Sequence, residues 1–121
     1  ILVVEDNPMN AGPLRDFLLA NGFEVELATN GLEALQAADK ALYDLVLMDV
    51  QMPVMDGLEA TRQLRERPAY ARTPIVALTS FAMTGDRERC LAAGMTEYLS
   101  KPFKFRVLGQ LLQKILQPVG G

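Results

Sequence analysis

The sequence predicts an α/β fold in which a five-stranded parallel sheet carries helices on both faces, and three observations support this prediction. Short runs of β-branched or aliphatic residues alternate with longer segments whose apolar residues recur every three or four positions. Three of the short runs are almost continuously apolar, which is typical of strands buried on both faces of a parallel sheet. Strand and helix alternate five times, an order that favours parallel strands joined by helical crossovers.

The predicted strands are residues 1–4, 24–27, 45–48, 75–78 and 97–100. The predicted helices between and after them carry apolar stripes: Leu14, Phe17 and Leu18; Leu32, Leu35, Ala38 and Leu42; residues 58–65; residues 86–93; and Leu108, Leu111, Leu112 and Ile115. Gly22 and Gly94 stand where left-handed helix C-caps are expected. A proline inside a helix removes a hydrogen bond, so we expect the first helix to begin late, with Pro13 at its first position.

Length and composition describe one globular domain over residues 1–121. The chain is 50% hydrophobic and 22% charged, and at this length folding hides roughly two-thirds of the unfolded surface. Residue 1 already lies in the first predicted strand, and linker-like residues 117–121 follow the last helix. We therefore expect a domain excised from a longer polypeptide.

Composition also excludes several classes of protein. Cys90 is the only cysteine, so a disulfide scaffold is excluded and a reducing, cytoplasmic location is expected. No signal peptide and no apolar run near the roughly 20 residues of a membrane span is present, although a parent chain could be membrane-anchored. The net charge of −3 argues against direct binding to nucleic acid. The absence of histidine removes Ser/His/Asp triads, histidine metal ligands and histidine bases.

Polar residues follow four of the predicted strands. They are Glu5 and Asp6 after the first strand, Asp49 after the third, Thr79 and Ser80 after the fourth, and Lys101 after the fifth. Ligands of open α/β sheets bind outside the carboxyl ends of the strands, so we expect these side chains to converge there.

The chemistry of this set favours a phosphoryl group and a metal ion. Three carboxylates brought together repel one another, so either one takes up a proton or a cation neutralises the group. Mg²⁺, or Mn²⁺ in its place, is the natural partner, because hard divalent ions prefer oxygen ligands. An aspartate beside such an ion can attack phosphorus, and Thr79 and Lys101 could hold the phosphoryl oxygens.

Five stretches carry a family resemblance. They are ILVVEDN at 1–7, LMDVQMP at 47–53, DG at 56–57, ALT at 77–79 and YLSKPF at 98–103. In this order and spacing they resemble the receiver domains of bacterial two-component response regulators, over essentially the whole chain. The resemblance implies the flavodoxin-like (βα)5 fold and a role in phosphorelay signalling.

The resemblance also implies roles for the residues at the strand ends. Asp49 would accept a phosphoryl group from the phosphohistidine of a histidine kinase or a histidine phosphotransfer domain. Asp6, Asp49 and the backbone carbonyl of Gln51 would bind Mg²⁺ directly, and Glu5 would help through water. Thr79 and Lys101 would contact the phosphoryl group.

The resemblance also implies which residues take part in the conformational switch and which set the lifetime of the phosphorylated state. Thr79 would swing towards the phosphoryl group and Tyr98 would turn inward behind it, which remodels the face of the fourth helix, fifth strand and fifth helix that an effector or parent-chain domain binds. The Lys101–Pro102 bond is typically cis in such domains. Gln51 and Phe81 would flank the attacking water, and because Phe81 is apolar and bulky we expect slow self-dephosphorylation.

Taken singly, the same residues have simpler interpretations. Asp49 could be a solvated loop residue or helix cap, Thr79 a strand-end hydroxyl bonded to the backbone, Lys101 a surface charge and Tyr98 a core residue. Cys90 is expected to be a small buried hydrophobe, and residues 86–89 a solvated helix face. Phe105, Val107 and Leu116 give the last helix either a docking face or more core contact.

The parent protein and the rival functions complete the expectations. The segment 58–87 most resembles receivers fused to the C-terminal side of hybrid sensor histidine kinases, and less those preceding DNA-binding domains. A phosphohydrolase with an aspartate nucleophile would resemble a D-x-D pattern, whereas position 51 is Gln51. A pseudo-receiver that is never phosphorylated is disfavoured because the acidic residues, Thr79 and Lys101 are all present. We expect no enzyme activity beyond the domain's own phosphotransfer and slow dephosphorylation, whereas the cognate kinase, stimulus, output and oligomeric state stay open.

Overall fold

A computed structural model describes residues 1–79 and 85–116 of the chain. Its strands are β1 (Leu2–Val4), β2 (Glu26–Ala28), β3 (Val46–Asp49), β4 (Ile75–Thr79) and β5 (Glu97–Ser100). They form one sheet in the order β2-β1-β3-β4-β5, and every adjacent pair is parallel. The predicted five-stranded parallel sheet is thus confirmed.

The helices are α1 (Pro8–Ala20), α2 (Gly31–Lys40), α3 (Gly57–Glu66), α4 (Asp86–Ala93) and α5 (Phe105–Leu116), with a short 3₁₀ turn at Pro68–Tyr70. Residues of α2, α3 and α4 pack with alternate strand residues in one apolar cluster, and residues of α1 and α5 pack in a second. The helices therefore cover both faces of the sheet. None of the helices described is long and apolar enough to cross a bilayer.

Burial explains why the sequences of some strands are almost continuously apolar. Every residue of β1, β3 and β4 is buried, because helices cover these central strands on both sides. The edge strands β2 and β5 are more exposed, and their sequences are correspondingly more polar. The β2 strand begins two residues later than predicted. Ala28 pairs with β1, whereas residues 24 and 25 precede the strand.

The first helix begins earlier than expected. Asn7 caps it, because the Asn7 side chain accepts a hydrogen bond of 2.9 Å from the Met9 N–H, and Pro8 occupies the first helical turn. Pro13 lies inside α1, where the ring removes the donor that would serve the carbonyl of Met9. The prediction that α1 begins at Pro13 is therefore wrong, since one missing bond does not outweigh a capped start.

Other helix ends follow the sequence more closely. Gly22 and Gly94 adopt left-handed φ values of 88° and 110°, as predicted for their C-cap positions. Cys90 is buried, as predicted. The α2 helix ends at Lys40, however, and Leu42 is 77% exposed, so the predicted stripe of α2 does not extend to that residue.

Thr61 on α3 provides a stability test. It is fully buried, and its hydroxyl has no hydrogen-bond partner within residues 1–79 and 85–116. Valine has nearly the same shape without the hydroxyl, so we expect Thr61→Val to raise the free energy of unfolding by about 1 kcal/mol. Urea denaturation measures this change. Thr96→Val is the matched control and should lower the free energy of unfolding, because the Thr96 hydroxyl accepts a hydrogen bond from the Ile75 N–H.

Candidate functional site

The candidate site lies at the carboxyl edge of the sheet. Parallel pairing sets Asp49 beside Leu78 and Thr79 beside Ser100, so the ends of β3, β4 and β5 share one edge. Glu5 directly follows β1, and its N–H donates to the carbonyl of Ala28 at the end of β2. Of the strand-end polar residues that the sequence predicts to converge, those that the structure describes lie at the same edge, and Ser80 lies outside the described residues.

Three carboxylates form a compact acidic cluster. Oxygen atoms of Glu5, Asp6 and Asp49 all lie within 4.8 Å of one another. Glu5 and Asp49 are buried, whereas Asp6 is exposed. Burial intensifies the mutual repulsion of like charges, and oxygen-only ligands match the preference of a hard divalent cation. The donor set therefore fits a divalent metal ion.

Lys101 supplies the positive charge within reach of this cluster. Its Nζ lies 2.7 Å from Oε2 of Glu5 and 3.2 Å from Oδ2 of Asp49. The Lys101 side chain is only 17% exposed. Burial lowers the pKa of Lys101, but the hydrogen bonds and charges of Glu5 and Asp49 outweigh it, and the net pKa is raised. Lys101 therefore stays charged at neutral pH.

Backbone groups hold the other carboxylate oxygens. The N–H of Asn7 donates to Oε1 of Glu5 at 3.2 Å. The N–H of Gln51 donates to Oδ1 of Asp49, also at 3.2 Å. Each buried carboxylate is therefore bonded to the backbone through one oxygen and to Lys101 through the other, which fixes its orientation.

Thr79 is buried and its backbone is tied to both neighbouring strands. The N–H of Lys101 donates to the carbonyl of Thr79 at 2.6 Å, and the N–H of Val50 donates to the carbonyl of Leu78 at 3.0 Å. The peptide bond between Lys101 and Pro102, for which the family resemblance implies the cis form, is cis.

Behind Thr79 lies a cavity of about 240 Å³. Thr79 and Gln51 line its near side, and Asp86 and Cys90 of α4 line its far side. Tyr98 packs against the apolar cluster that contains Cys90 of α4, and burial and the charge of Asp86 raise the pKa of Tyr98. The cavity is thus bordered by the residues after β3, by the end of β4 and by α4.

Asp86 corrects one sequence interpretation. Residues 86–89 were predicted to form a solvated face, yet Asp86 is buried and ion-paired with Arg89. An acidic residue in the first turn of a helix is ordinary in sequence, so the pattern alone gave no sign that its side chain points inward.

Two further residues shape the site in ways that the sequence did not predict, although Gly57 belongs to the DG pair at 56–57 that contributes to the family resemblance. The α3 helix packs so closely on β3 that a Cβ on Gly57 would lie 2.2 Å from the carbonyl oxygen of Asp49. Val54 has φ 69° at the centre of a tight turn closed by a 2.7 Å bond from the Met55 N–H to the Pro53 carbonyl. A β-branched residue is not expected at positive φ, so no sequence rule predicts the Val54 turn.

Phe81, together with its predicted shielding of the phosphorus, lies outside the described residues. The linker-like residues 117–121 also lie outside them.

Comparison with known proteins identifies the family. The family model for the response regulator receiver domain matches residues 1–113. The crystallised receiver domain of a Pseudomonas aeruginosa sensor histidine kinase, with a magnesium ion coordinated in its active-site cleft, is 44% identical, with 97% of this chain and 96% of that chain covered and a TM-score of 0.90. The chain therefore belongs to the response regulator receiver domain family of two-component systems.

Two other relatives show the contexts in which such domains occur. A hybrid signal transduction histidine kinase of Dictyostelium discoideum is 46% identical over 117 residues, which cover 94% of this chain and 3% of the kinase. The chain thus spans a small fraction of that relative. The receiver domain of the Saccharomyces cerevisiae response regulator Ssk1, co-crystallised with the histidine phosphotransfer protein Ypd1, is 33% identical, covers 93% of this chain and 85% of that chain, and has a TM-score of 0.85.

Proposed function

We propose that this domain accepts a phosphoryl group on Asp49 from a phosphohistidine, in a reaction that requires a divalent metal ion. The observation that carries this proposal is the buried Asp49 carboxylate, held 3.2 Å from the Lys101 ammonium within the acidic cluster. A nucleophilic carboxylate, a fixed cation and a metal-binding set are the parts that phosphoryl transfer to aspartate needs.

The proposed transfer is a single displacement at phosphorus. A carboxylate oxygen of Asp49 forms a bond to phosphorus as the bond between phosphorus and the histidine nitrogen breaks, and that nitrogen keeps the bonding electron pair. Lys101 and the hydroxyl of Thr79 stabilise the charge on the phosphoryl oxygens. The backbone bond from Gln51 holds the carboxylate in place for attack.

Asp6, Asp49 and the carbonyl of Gln51 would hold Mg²⁺ directly, with Glu5 acting through water, and Mn²⁺ would fit the same oxygen ligands. When bound, the ion neutralises the phosphoryl oxygens that Lys101 leaves free. The magnesium-bound relative and the donor set of the acidic cluster support this assignment.

The proposed conformational switch depends on Thr79 and Tyr98. Thr79 would move towards the phosphoryl group and Tyr98 would turn into the space behind it, so that the face of α4, β5 and α5 changes its binding partners. The cavity between Thr79 and α4, and the packing of Tyr98 against the apolar cluster that contains Cys90, support this route. Gln51 and Phe81 would flank the attacking water, and the apolar Phe81 would make loss of the phosphoryl group slow.

The donor is a histidine kinase or a histidine phosphotransfer domain, as the co-crystallised yeast relative supports. The parent chain is a hybrid sensor histidine kinase from which residues 1–121 form one excised domain, and the Dictyostelium and Pseudomonas relatives support this origin. The domain acts in the cytoplasm on an effector or parent-chain domain, without direct contact to nucleic acid or membrane.

Intact-mass measurement with acetyl phosphate and Mg²⁺ tests the proposal. We expect the mass to rise by one phosphoryl group, and we expect no rise without Mg²⁺ or in Asp49→Asn, which removes the nucleophile while keeping its shape. Asp44→Asn is the matched control, because exposed Asp44 lies before β3 at the opposite edge of the sheet, and it should be phosphorylated like the wild type.

A different result has a definite meaning. Failure to gain mass with acetyl phosphate and with a phosphorylated histidine phosphotransfer domain would contradict the proposal and favour a pseudo-receiver. Phosphorylation of Asp49→Asn would show that another residue is the acceptor.

A further inference from the structure

Asn7 joins the acidic cluster to the start of α1. Its N–H donates to Oε1 of Glu5 at 3.2 Å, and its side-chain Oδ1 accepts from the Met9 N–H at 2.9 Å. Its carbonyl accepts from the N–H groups of Asn10 and Ala11 at 3.0 and 2.9 Å. The N–H, the carbonyl and the side chain of Asn7 therefore all form hydrogen bonds.

The first turn of α1 depends on the Asn7 side chain. The first N–H groups of an α-helix have no partner within the helix. Pro8 has no N–H, and the N–H groups of Met9 and Asn10 donate to the side chain and the carbonyl of Asn7. Removing the Asn7 side chain takes away the acceptor of the Met9 N–H and loosens the backbone of Asn7.

The bond from Asn7 to Glu5 reaches the phosphoacceptor through Lys101. Because a carboxylate is planar, the bond to Oε1 of Glu5 also sets the position of Oε2. That second oxygen lies 2.7 Å from Nζ of Lys101, and the same Nζ lies 3.2 Å from Oδ2 of Asp49. The side chain of Glu5 is 2% exposed, so these contacts are shielded from water. A displacement of the Asn7 N–H would therefore displace the Lys101 ammonium.

Asp6 lies between two attachments of the same segment. On one side, the N–H of Glu5 donates to the carbonyl of Ala28 at 3.0 Å. On the other side, Asn7 caps α1. The carboxylate of Asp6 is exposed, so its position depends on how firmly the backbone on both sides is held.

We propose that Asn7 is a positioning residue of the metal site. By capping α1, it fixes the N–H that orients Glu5, and with it the positions of Asp6 and Lys101. This inference rests on the proposed function and adds a residue outside the acidic cluster that sets the affinity for the metal ion. Outer residues that orient metal ligands typically change metal affinity by roughly 10- to 100-fold when they are replaced.

Binding of Mn²⁺, followed by the loss of the EPR signal of the free ion, tests this role. In Asn7→Ala we expect the dissociation constant for Mn²⁺ to rise on the order of tenfold above that of the wild type. In Asn7→Ser, whose hydroxyl can also cap a helix, we expect it to stay within about threefold of the wild type. If Asn7→Ser bound Mn²⁺ as weakly as Asn7→Ala, the helix cap would not be the cause and the inference would be wrong.

Asn30→Ala is the matched control. Asn30 caps α2 by accepting from the Glu33 N–H at 2.9 Å, and Glu33 lies outside the acidic cluster. We expect the midpoint of urea denaturation to fall in both Asn7→Ala and Asn30→Ala, because both lose a helix cap. The dissociation constant for Mn²⁺ should rise only in Asn7→Ala. An equal rise in Asn30→Ala would show that the loss follows from stability alone, and would overturn the inference.

Two further outcomes separate this inference from the proposed function. Unchanged Mn²⁺ binding in Asn7→Ala would overturn the role of Asn7 alone, whereas no Mn²⁺ binding by the wild type would overturn the proposed metal site and the inference with it. If Asn7→Ala does not fold, Asn7→Gly takes its place with the same expected rise, because glycine suits the cap position but offers no acceptor.

Discussion

Gly57→Ala is expected to destabilise the domain by about 3 kcal/mol and to slow phosphorylation of Asp49 on the order of 100-fold. A Cβ at this position would lie 2.2 Å from the carbonyl oxygen of Asp49 and 2.9 Å from Cγ of Met48. The first of these atoms belongs to the backbone of a central strand, so no rotamer change relieves the clash. The α3 helix must move off β3, which breaks the bond from the Gly57 N–H to the Val50 carbonyl and displaces Asp49, the proposed phosphoacceptor.

Gly109→Ala is the control for this prediction. Gly109 lies inside α5, and a Cβ on it would lie 3.4 Å from Cζ of Phe17, which is the end of a flexible side chain. Alanine favours a helix interior over glycine by roughly 0.5–1 kcal/mol, so the same chemical change should not destabilise the domain there. Urea denaturation and the rate of mass gain with acetyl phosphate measure both effects. Wild-type stability in Gly57→Ala would contradict the close contact between α3 and β3.

Lys101→Met is expected to lower the free energy of unfolding by about 3 kcal/mol in metal-free buffer, because it leaves two buried carboxylates without their cation. The side chains of Glu5 and Asp49 are 2% and 8% exposed, so water cannot replace the ammonium. Added Mg²⁺ should restore more stability to the variant than to the wild type, since a ligand that binds only the folded state stabilises it. Thermal unfolding over a Mg²⁺ titration measures the difference.

The raised pKa of Lys101 predicts how the effect of Lys101→Met on stability changes with pH. The pKa of Lys101 is raised in the folded state, so its contribution is fully present below the unfolded value of about 10.4 and is lost as pH rises through the folded value. The stability difference between wild type and Lys101→Met should therefore be present at neutral pH and shrink in strong base. Exposed Lys104 is the control, and Lys104→Met should change stability by less than about 0.5 kcal/mol. An equal effect of both variants would contradict the buried ion pair.

The order of strands and helices and the place of the site could be predicted from the sequence. Apolar periodicity identifies β3 and β4 because both are covered by helices on two faces, and a parallel sheet necessarily gathers the strand-end residues Asp49 and Lys101 at one edge. The sequence could not predict which oxygen each group contacts. Lys101 bonds to Glu5 from 96 residues away, and only the assembled fold sets that distance.

Two features that the sequence did not predict, the uninterrupted α1 helix and the contacts of Arg65, have the same physical cause. Pro13 breaks a local rule, but the capped start of α1 and the packing of its buried face keep the helix intact. Arg65 looks like an ordinary cation in the last turn of a helix, whereas its acceptor Gly94 lies 29 residues later. Local sequence determines which element forms, and tertiary contacts determine which polar groups become buried.

The fixed backbone on both sides of Thr79 has a consequence for timing. The carbonyls of Leu78 and Thr79 are bonded to neighbouring segments, so a movement of the Thr79 hydroxyl in the proposed switch would require rotation about χ1. A β-branched side chain occupies a few discrete rotamers, so the threonine in the proposed switch has separate positions and no graded ones. Rotamer changes are faster than collective helix motions, which take on the order of microseconds to milliseconds. In the proposed switch, the motion of α4 would therefore limit the response time, and the rotamer of the threonine would select between the positions of the helix.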